Sequence, residues 1–305
     1  MPGSDSDHQQ QQPEAWERSA YMMEVGDLLF QGAESRVYKC SFYGKPAVYK
    51  HRFVKRYRNP TLDERLRTQR TRHEARALER CLTKGIRAPR LLGADYINTF
   101  IVMSHEEGPT LKEALDAEYA RGKADPQAAL SADVTPSPVT VALLRSMGVV
   151  VAMLHNANMV HGDLTTSNFI STFKQPAAEA APKPKASHDT KLEGAQPCVA
   201  AAEDARGLSA SSTSSSSATH ALPTAQDIVV LDFGLISDKY SAEERAVDLY
   251  VLERAIASTH PYLASYASET ILEGYRSAAD PKKGAETLKR LEAVRARGRK
   301  RSMVG

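Results

Sequence analysis

The chain has 305 residues, of which 42% are hydrophobic, and a formal net charge of +3 at pH 7. This length and apolar content are enough for two packed domains, whereas so small a net charge excludes the argument that the whole surface binds RNA. The three cysteines, Cys40, Cys81 and Cys198, have no metal-ligand spacing and indicate a reducing compartment.

Residues 1–20 are polar and include four consecutive glutamines, Gln9 to Gln12. Because this segment contains no apolar run, we expect a disordered N-terminal tail, and neither a signal peptide nor a membrane span.

Extended segments are predicted between residues 24 and 50. Residues 24–30 and 36–40 have the composition of a strand pair, and residues 46–50 form a third segment that ends in Lys50 after an alternating Ala-Val-Tyr pattern. On its own, Lys50 would most simply be a solvated lysine. The turn after the first segment contains Gly32, Ala33, Glu34 and Ser35.

A helix is predicted over residues 61–83. Its apolar side is marked by Leu62, Leu66, Leu78 and Leu82. At 100° per residue, Glu74 lies about 40° from Leu78, whereas Glu64 lies near the face opposite Leu66. We therefore expect Glu74 to form an ion pair with Lys50. Removal of one member of such a buried pair would leave the other charge unpaired.

Two short strings farther along the chain indicate its chemistry. The first, His161-Gly162-Asp163-Leu164-Thr165-Thr166-Ser167-Asn168, follows an apolar helical stripe in residues 139–160. The second, Leu231-Asp232-Phe233-Gly234-Leu235, ends an apolar run of strand length in residues 228–231. Either string alone would be weak evidence. In this order, a helix, a loop and a buried strand are typical of a protein-kinase-like site for a magnesium nucleotide.

The spacing of these strings assigns roles to their polar groups. Magnesium prefers oxygen ligands and usually takes one or two carboxylates together with substrate phosphates. Asp232 and Asn168 are the expected metal ligands, and Asp163, five residues before Asn168, is the expected base that positions a hydroxyl or water. Lys50 would pair with the phosphates. The sequence therefore predicts phosphoryl transfer from ATP with Mg²⁺.

The remaining nucleotide contacts are expected in the N-terminal half. A hinge is expected after residues 101–103, with Met103 among the nucleotide contacts and Ser104, His105 and Glu106 near the adenine. The turn with Gly32, Ala33, Glu34 and Ser35 would cover the phosphates, although such a flap normally has three glycines and this one has a single glycine.

Three departures from the usual pattern predict an unusual kinase. Gly162 stands where an arginine usually precedes the catalytic aspartate, so switching by loop phosphorylation is not expected. Thr165 stands where a lysine usually meets the transferring phosphate. Only residues 235–244 separate the Asp-Phe-Gly string from the next predicted helix, which leaves little platform for a peptide. We therefore rank ATP hydrolysis above phosphorylation of a free protein.

Asp248 lies in an amphipathic stretch, residues 244–259, and is expected to hold the catalytic loop by hydrogen bonds to its backbone, although an exposed helical acid is the alternative. His155 is not placed in the site.

Two segments are predicted to be disordered insertions. Residues 171–227 are rich in Ala, Ser, Pro and Lys and cannot bury enough apolar area to offset the entropy of ordering. The cost of closing a loop grows only logarithmically with its length, so the site on either side can survive. Residues 118–138 are predicted to form a smaller insertion of the same kind.

A basic C-terminal tail is predicted over residues 282–305, in which Lys and Arg far outnumber two Glu residues. Such a run attracts phosphate backbones, acts as a nuclear-import signal, or merely solvates a helix end.

Several strings resemble those of the PRPK-type atypical kinases, the small kinase family of the KEOPS (EKC) complex. They recur in the same order between residue 24 and the C-terminus. These strings are Gln31-Gly32-Ala33-Glu34, Lys50-His51-Arg52-Phe53, Tyr57-Arg58-Asn59-Pro60, Arg70 to Arg76, His161 to Asn168, Asp232 to Ser237, Ala246 to Ala255, and Arg297 to Arg301.

The resemblance implies an α+β, minimal bilobal protein-kinase-like fold, with a small β-rich N-lobe in residues 21–103 and a mostly helical C-lobe in residues 104–305. It also implies an ATPase, and sometimes a serine/threonine kinase, with ATP and Mg²⁺ as cofactors. The enzyme would act in the complex that makes threonylcarbamoyl-adenosine on tRNAs decoding ANN codons.

The resemblance further implies partners and a location. The modification chemistry would belong to a metal-dependent threonylcarbamoyl transferase subunit that contacts the C-lobe and tail, and a small subunit would bind the N-lobe. Contact with tRNA through the tail, no membrane association, and a location in cytoplasm and nucleus are expected.

Two other functions remain open from the sequence. One is a free regulatory serine/threonine kinase, and the other is a non-catalytic assembly scaffold with a vestigial nucleotide site. An active enzyme is favoured by the complete set Lys50, Glu74, Asp163, Asn168 and Asp232.

Overall fold

The structure is a computed structural model that describes residues 23–124, 136–174, 222–237 and 241–302. The predicted tail in residues 1–20, and the greater part of the predicted insertion in residues 171–227, lie outside the described residues.

The N-terminal part forms a five-stranded antiparallel sheet with the strand order β1-β2-β3-β5-β4. Its strands are β1 (Met23–Gln31), β2 (Arg36–Phe42), β3 (Lys45–His51), β4 (Leu91–Asp95) and β5 (Phe100–Ser104). Lys50 lies on the central strand, opposite Val37 of β2 and Ile101 of β5. A residue on a central strand has a fixed direction, because both neighbouring strands hold its backbone.

Helix α1 (Pro60–Thr83) follows β3 and packs beside this sheet. Asn59 caps it by accepting the Leu62 N–H at 3.2 Å, and Pro60 occupies the first turn, where its missing N–H costs nothing. Glu74 and Leu78 lie on its buried face.

The predicted apolar side of α1 is wrong at both ends. Leu62 and Leu82 are exposed, and the small residues Ala75 and Ala77 are buried instead. A leucine in a terminal turn can extend past the packed surface, so helical periodicity alone overestimates the buried stripe there.

The C-terminal part is mostly helical and contains one short strand pair, β6 with β7. Its elements are α2 (Leu111–Ala124), α3 (Pro138–Asn156), β6 (Phe169–Ser171), β7 (Ile228–Val230), α4 (Ala242–Thr259), α5 (Ala267–Ala278) and α6 (Pro281–Ser302). One core runs from Leu78 of α1 through Met147 of α3 to Leu249 of α4. The predicted α+β bilobal fold, with a β-rich N-lobe and a mostly helical C-lobe, is confirmed.

Helices α3 and α5 approach each other closely through two glycines. A Cβ atom on Gly148 would lie 2.0 Å from the Ile271 carbonyl oxygen, and one on Gly274 would lie 2.0 Å from the Arg145 carbonyl oxygen. In the described part of the chain, α3 is the one helix long and apolar enough to cross a membrane, but most of its apolar stretch is buried inside the protein. A buried core helix passes the same test of length and composition.

The predicted boundaries of both insertions need correction. Residues 118–124 belong to α2, and Glu118 is buried where it accepts a hydrogen bond from the Ser137 hydroxyl at 3.1 Å. Pro138, the predicted end of that insertion, opens α3. Of the predicted limits of the larger insertion, Ser171 is the last residue of β6 and opposes Ile228, and Asp227 directly precedes β7. Polar composition suggested loop at these edges, whereas tertiary hydrogen bonds order them.

Most of the predicted basic tail, residues 282–302, forms the greater part of α6. Leu291 and Val294 of α6 are buried in the core, and α6 packs mainly on α4. Arg295 forms ion pairs with Glu253 of α4, and Arg290 pairs with Glu243 of the same helix. Leu288, Leu291 and Val294 recur every three residues and therefore form an apolar face of α6 that packs against the core.

Two helix boundaries are also shifted. The apolar helix predicted over residues 139–160 ends at Asn156, and Val160 lies in an isolated bridge with Ser237. The helix predicted near Glu244 begins at Ala242, after Ser241 caps it.

Candidate active site

Lys50 joins three separate elements of the fold. Its Nζ donates to Glu74 Oε1 of α1 at 2.8 Å and to Asp232 Oδ1, after β7, at 2.6 Å. Both Lys50 and Glu74 are almost fully buried. The sheet, α1 and the Asp-Phe-Gly segment therefore meet at one ammonium group, and Glu74 is the acid that faces Lys50.

Arg52 is a second partner of Glu74 that the sequence prediction missed. Its Nη2 donates to Glu74 Oε2, and its side chain is only 4% exposed. A Cβ atom on Gly234 would lie 2.8 Å from Arg52 Nη2, so the guanidinium covers this glycine directly. Arg52 follows Lys50 by two residues, and period-two alternation puts such residues on one side of an extended chain. That spacing was the signal that could have identified it.

Asp232 has a backbone conformation that is uncommon outside glycine, with φ of +54°. Such angles concentrate at functional sites, where surrounding contacts maintain them. Surrounding protein atoms remove part of the solvation of this carboxylate, which raises its pKa, but the charge and hydrogen bond of Lys50 outweigh that effect and lower the pKa of Asp232 to about 2. Asp232 is therefore ionised at any physiological pH.

Asp163 and Asn168 lie on one tight loop. Asn168 Nδ2 donates to the Asp163 carbonyl oxygen at 2.8 Å and approaches Asp163 Oδ2 at 3.3 Å. Asn168 ends a short 3₁₀ turn, Thr166–Asn168, that leads into β6. The amide nitrogen thus fixes the loop, and the amide oxygen is the atom available to a ligand.

Asp248 of α4 holds the start of this loop, as predicted. Its carboxylate accepts the backbone N–H groups of His161 and Gly162, both at 2.9 Å, and faces His155 Nε2 at 3.2 Å. Burial raises the pKa of Asp248, but the hydrogen bond and charge of His155 and the backbone donors outweigh it, so the pKa lies below its ordinary value. His155, which was not placed in the site, supports Asp248 from behind.

Position 162 cannot accommodate the arginine that many kinases have before the catalytic aspartate. The φ of Gly162 is +84°, and an added Cβ would lie 2.7 Å from the Leu235 carbonyl oxygen. A side chain at residue 162 would need both a strained backbone and movement of the segment after the Asp-Phe-Gly string.

Two adjoining cavities of about 550 Å³ and about 450 Å³ meet at Lys50, Asn168 and Asp232. The larger cavity has a mainly apolar lining that includes Val37, Val48, Leu78, Met103, Ile170 and Leu231. The smaller cavity, called the polar cavity below, is the more polar of the two, and its lining includes Gly32, Ala33, Glu34, Ser35, Arg52, Arg70 and Asp163. An apolar chamber suits a base, and a chamber with cations, amides and carboxylates suits phosphates with a metal ion.

The predicted hinge residues Met103, Ser104 and His105 line the larger cavity. Ser104 is tied into the lobe, because its N–H donates to the Arg90 carbonyl oxygen at 2.9 Å and its Oγ donates to Glu106 at 2.7 Å. The Ser104 hydroxyl is thus held by the carboxylate of Glu106, two residues later in the chain.

The flap residue Glu34 directs its carboxylate toward α1 and the segment before it. Glu34 Oε1 accepts from Lys55 Nζ at 3.0 Å and from Arg58 Nη2 at 3.2 Å, and Glu34 Oε2 pairs with Arg70 of α1. Gly32 closes the turn by donating its N–H to the Ser35 carbonyl oxygen at 2.9 Å. The sequence assigned Glu34 to the phosphate flap but did not identify these three cations.

The donor set fits a magnesium ion better than a metal such as zinc. Asp232 offers a carboxylate and Asn168 an amide oxygen beside the polar cavity, and hard oxygen donors are what Mg²⁺ prefers when phosphates complete its shell. Within the described ranges, no group of three or more His, Cys, Asp or Glu side chains is arranged to hold a metal ion.

Comparison with known proteins gives close relatives by sequence. No protein-family model matches the chain. The chain is 36% identical over 292 residues to the EKC/KEOPS complex subunit Tp53rkb of Mus musculus, covering 95% of this chain and 94% of that protein. It is 35% identical over 280 residues to the EKC/KEOPS complex subunit BUD32 of Chaetomium globosum, and 36% identical over 293 residues to the EKC/KEOPS complex subunit bud32 of Aspergillus fumigatus. Each of these two matches covers 91% of this chain and 91% of the relative.

Among solved structures, the Rio2 kinase from Chaetomium thermophilum, in its ADP/Mg²⁺-phosphoaspartate complex, matches with a TM-score of 0.49 and 14% identity. The match covers 93% of this chain and 74% of the Rio2 chain.

Proposed function

The chain belongs to the Bud32 family of EKC/KEOPS complex subunits, and from this premise we propose that it catalyses phosphoryl transfer from ATP in the presence of Mg²⁺, chiefly as an ATP hydrolase. Serine/threonine protein kinase activity is proposed as the lesser activity of the same site.

One observation carries this proposal, namely the position of Lys50 between Glu74 and Asp232. The ammonium group lies 2.8 Å from one carboxylate and 2.6 Å from the other, at the junction of the two cavities. An ammonium group has three donors, so one remains for a phosphate oxygen. A separation too large for Lys50 and Asp232 to contact one triphosphate would have contradicted the proposal.

The other residues of the site have roles that follow from their positions. Asp232 and Asn168 would hold Mg²⁺, which, when bound, neutralises charge on the phosphates. Asp163 borders the polar cavity and would orient a water molecule or hydroxyl and accept its proton. Asn168 keeps the Asp163 loop in place through its 2.8 Å hydrogen bond.

Hydrolysis is proposed above protein phosphorylation on two grounds. The stretch of sequence between Gly234 and the start of α4 at Ala242 is short, which leaves little chain for binding a peptide. Gly162 removes the arginine that would read a phosphorylated activation loop, and the 2.7 Å approach to Leu235 leaves no room for one.

The family membership supports a place in the KEOPS complex. We propose that the chain supports threonylcarbamoyl-adenosine formation on tRNAs decoding ANN codons, with the metal-dependent transferase subunit on the C-lobe and the small subunit on the N-lobe. Contact of the basic C-terminal residues with tRNA, and a location in cytoplasm and nucleus, belong to the same proposal.

The test measures phosphate release by the purified full-length chain with ATP and Mg²⁺, alone and with the transferase subunit. Asp163→Ala and Asp232→Ala are each expected to abolish release while the protein stays folded. Exposed Glu64 provides the control, and Glu64→Ala should hydrolyse ATP at the wild-type rate.

Hydrolysis that survives both active-site substitutions would refute the enzymatic proposal. In cells, threonylcarbamoyl-adenosine that persists with both variants but disappears on deletion of the gene would establish the scaffold function instead.

A further inference from the structure

Three cations surround one carboxylate at the phosphate flap. Glu34 pairs with Lys55, Arg58 and Arg70, and the Lys55 side chain is only 7% exposed. A second acid beside this group, Asp63, lies 3.9 Å from Arg58 and already accepts from Arg67 at 2.8 Å. Positive charge therefore exceeds negative charge around Glu34. Partly desolvated cations in excess favour the arrival of another anion.

Arg70 is the member of this group that borders the polar cavity. It lies four residues before Glu74 on α1, and residues at this spacing share one face of a helix. Arg70 therefore lies on the side of α1 that carries the Lys50 ion pair. The same cavity is lined by Asp163 and Asp232, so it contains the groups to which we assign chemistry.

The three cations that line the polar cavity differ in what holds them. Lys50 and Arg52 both contact Glu74, a buried residue in the middle of a helix. Arg70 instead contacts Glu34, which belongs to the β1–β2 turn and is about one-third exposed. The Arg70 pair is therefore the one that can separate without disturbing the buried ion pair.

We propose that Arg70 exchanges its counter-ion when nucleotide binds: it pairs with Glu34 in the nucleotide-free protein and donates to the terminal phosphate of a bound nucleoside triphosphate. This inference rests on the proposed function and adds a recognition residue to it. Arg70 would supply the positive charge that Thr165 does not, and Glu34 would compete with the terminal phosphate for the same guanidinium.

The exchange has a consequence for nucleotide selectivity. A nucleoside diphosphate lacks the terminal phosphate and leaves the Arg70–Glu34 pair intact, whereas a triphosphate replaces it. An arginine–phosphate contact is charge-assisted and can be bidentate. Loss of Arg70 should therefore weaken triphosphate binding selectively, while a residue that merely supports the fold would affect both nucleotides equally.

The test is calorimetric titration of the full-length chain with Mg²⁺ and either ADP or a non-hydrolysable ATP analogue. Arg70→Gln is expected to weaken binding of the analogue about tenfold, the effect of losing one hydrogen bond to a charged group, and to change ADP binding less than about twofold. Arg76→Gln, an exposed arginine on the same helix, is the matched control and should alter neither affinity.

Two further variants keep the test decisive if Arg70→Gln does not fold. Arg70→Lys retains a positive charge and should recover part of the selectivity. Glu34→Gln removes the competing carboxylate and should increase the ratio of analogue affinity to ADP affinity. Equal weakening of both nucleotides by the Arg70 variants, or a lower ratio in Glu34→Gln, would overturn the inference.

Failure of this inference can be separated from failure of the proposed function. A wild-type chain that binds the analogue, and hydrolyses ATP in a manner dependent on Asp163, retains the proposed function even if Arg70→Gln has no selective effect. A wild-type chain that binds neither nucleotide contradicts both.

Discussion

Glu74 is a single buried residue on which two buried cations depend. Its two carboxylate oxygens accept from Lys50 and Arg52, and its side chain is 1% exposed. Glu74→Ala should lower the free energy of unfolding by about 3–5 kcal/mol, because it leaves buried charge without its partner. Urea unfolding at pH 7 measures this loss.

The control for that substitution lies on the same helix. Glu64 is exposed, so Glu64→Ala should change the free energy of unfolding by no more than about 0.5 kcal/mol. Similar values for the two variants would show that the Glu74 ion pairs do not stabilise the fold.

Asp248 gives a residue-scale prediction that depends on pH. Its pKa lies below the ordinary aspartate value. The ionised carboxylate therefore stabilises the fold in full when the pH is above the ordinary aspartate pKa. This stabilisation is lost as the pH falls through the lower pKa of the folded state. Asp248→Asn should lower the free energy of unfolding by about 1–3 kcal/mol at neutral pH, since a buried acceptor is lost.

The difference between wild type and Asp248→Asn should then shrink as urea unfolding is repeated from pH 7 down to about pH 3. Glu79→Gln, at an exposed position of α1, should unfold like wild type at every pH. A difference that stays constant over this range would contradict the assigned ionisation of Asp248.

At the scale of elements, α6 is a structural helix whose basic residues are partly neutralised. Arg290 and Arg297 pair with Glu243, and Arg295 pairs with Glu253. Interactions with α4 thus reduce the positive charge that α6 presents to solvent. Part of the basic composition of α6 is therefore matched by acidic residues of α4.

The packing of α6 predicts a large effect at Leu291, which is 1% exposed. Leu291→Ala should lower the free energy of unfolding by about 2–5 kcal/mol through lost burial and a residual cavity. Lys289→Ala, exposed on the same helix, should stay within about 0.5 kcal/mol of wild type. Equal stability of the two variants in urea unfolding would mean that α6 is not packed as described.

At the scale of the whole molecule, the strand pair β6–β7 joins chain segments far apart in sequence. Ser171 opposes Ile228, and the Thr172 N–H donates to the Asp227 carbonyl oxygen at 2.8 Å. Replacement of residues 175–221 by a short flexible linker should therefore preserve the fold. The cost of loop closure falls only logarithmically with shortening, so a gain of about 1–2 kcal/mol is the most expected.

This deletion is checked by the midpoint of thermal unfolding and the rate of ATP hydrolysis, both measured beside the intact chain. The expected result is an equal or higher midpoint and a rate within about twofold of wild type. A folded deletion variant that no longer hydrolyses ATP would show that residues 175–221 take part in function.

The sequence alone determined the features that depend on local pattern and spacing. The strings around Asp163 and Asp232, the apolar periodicity of α3 and the β-branched run of β7 each lie within a few turns or one strand, so neighbouring residues carry the whole signal. The sequence also identified Glu74 as the acid that pairs with Lys50, and the structure confirms this pair.

Contacts between distant segments of the chain could be identified only from the folded structure. It brought Arg52 to Glu74, placed Arg70 against Glu34, and packed α6 on α4 where a tail was predicted. Charged side chains have similar local patterns whether they are solvated or paired, and burial is decided by which surfaces the fold brings together. The identity of each ion-pair partner is therefore a property of the folded chain.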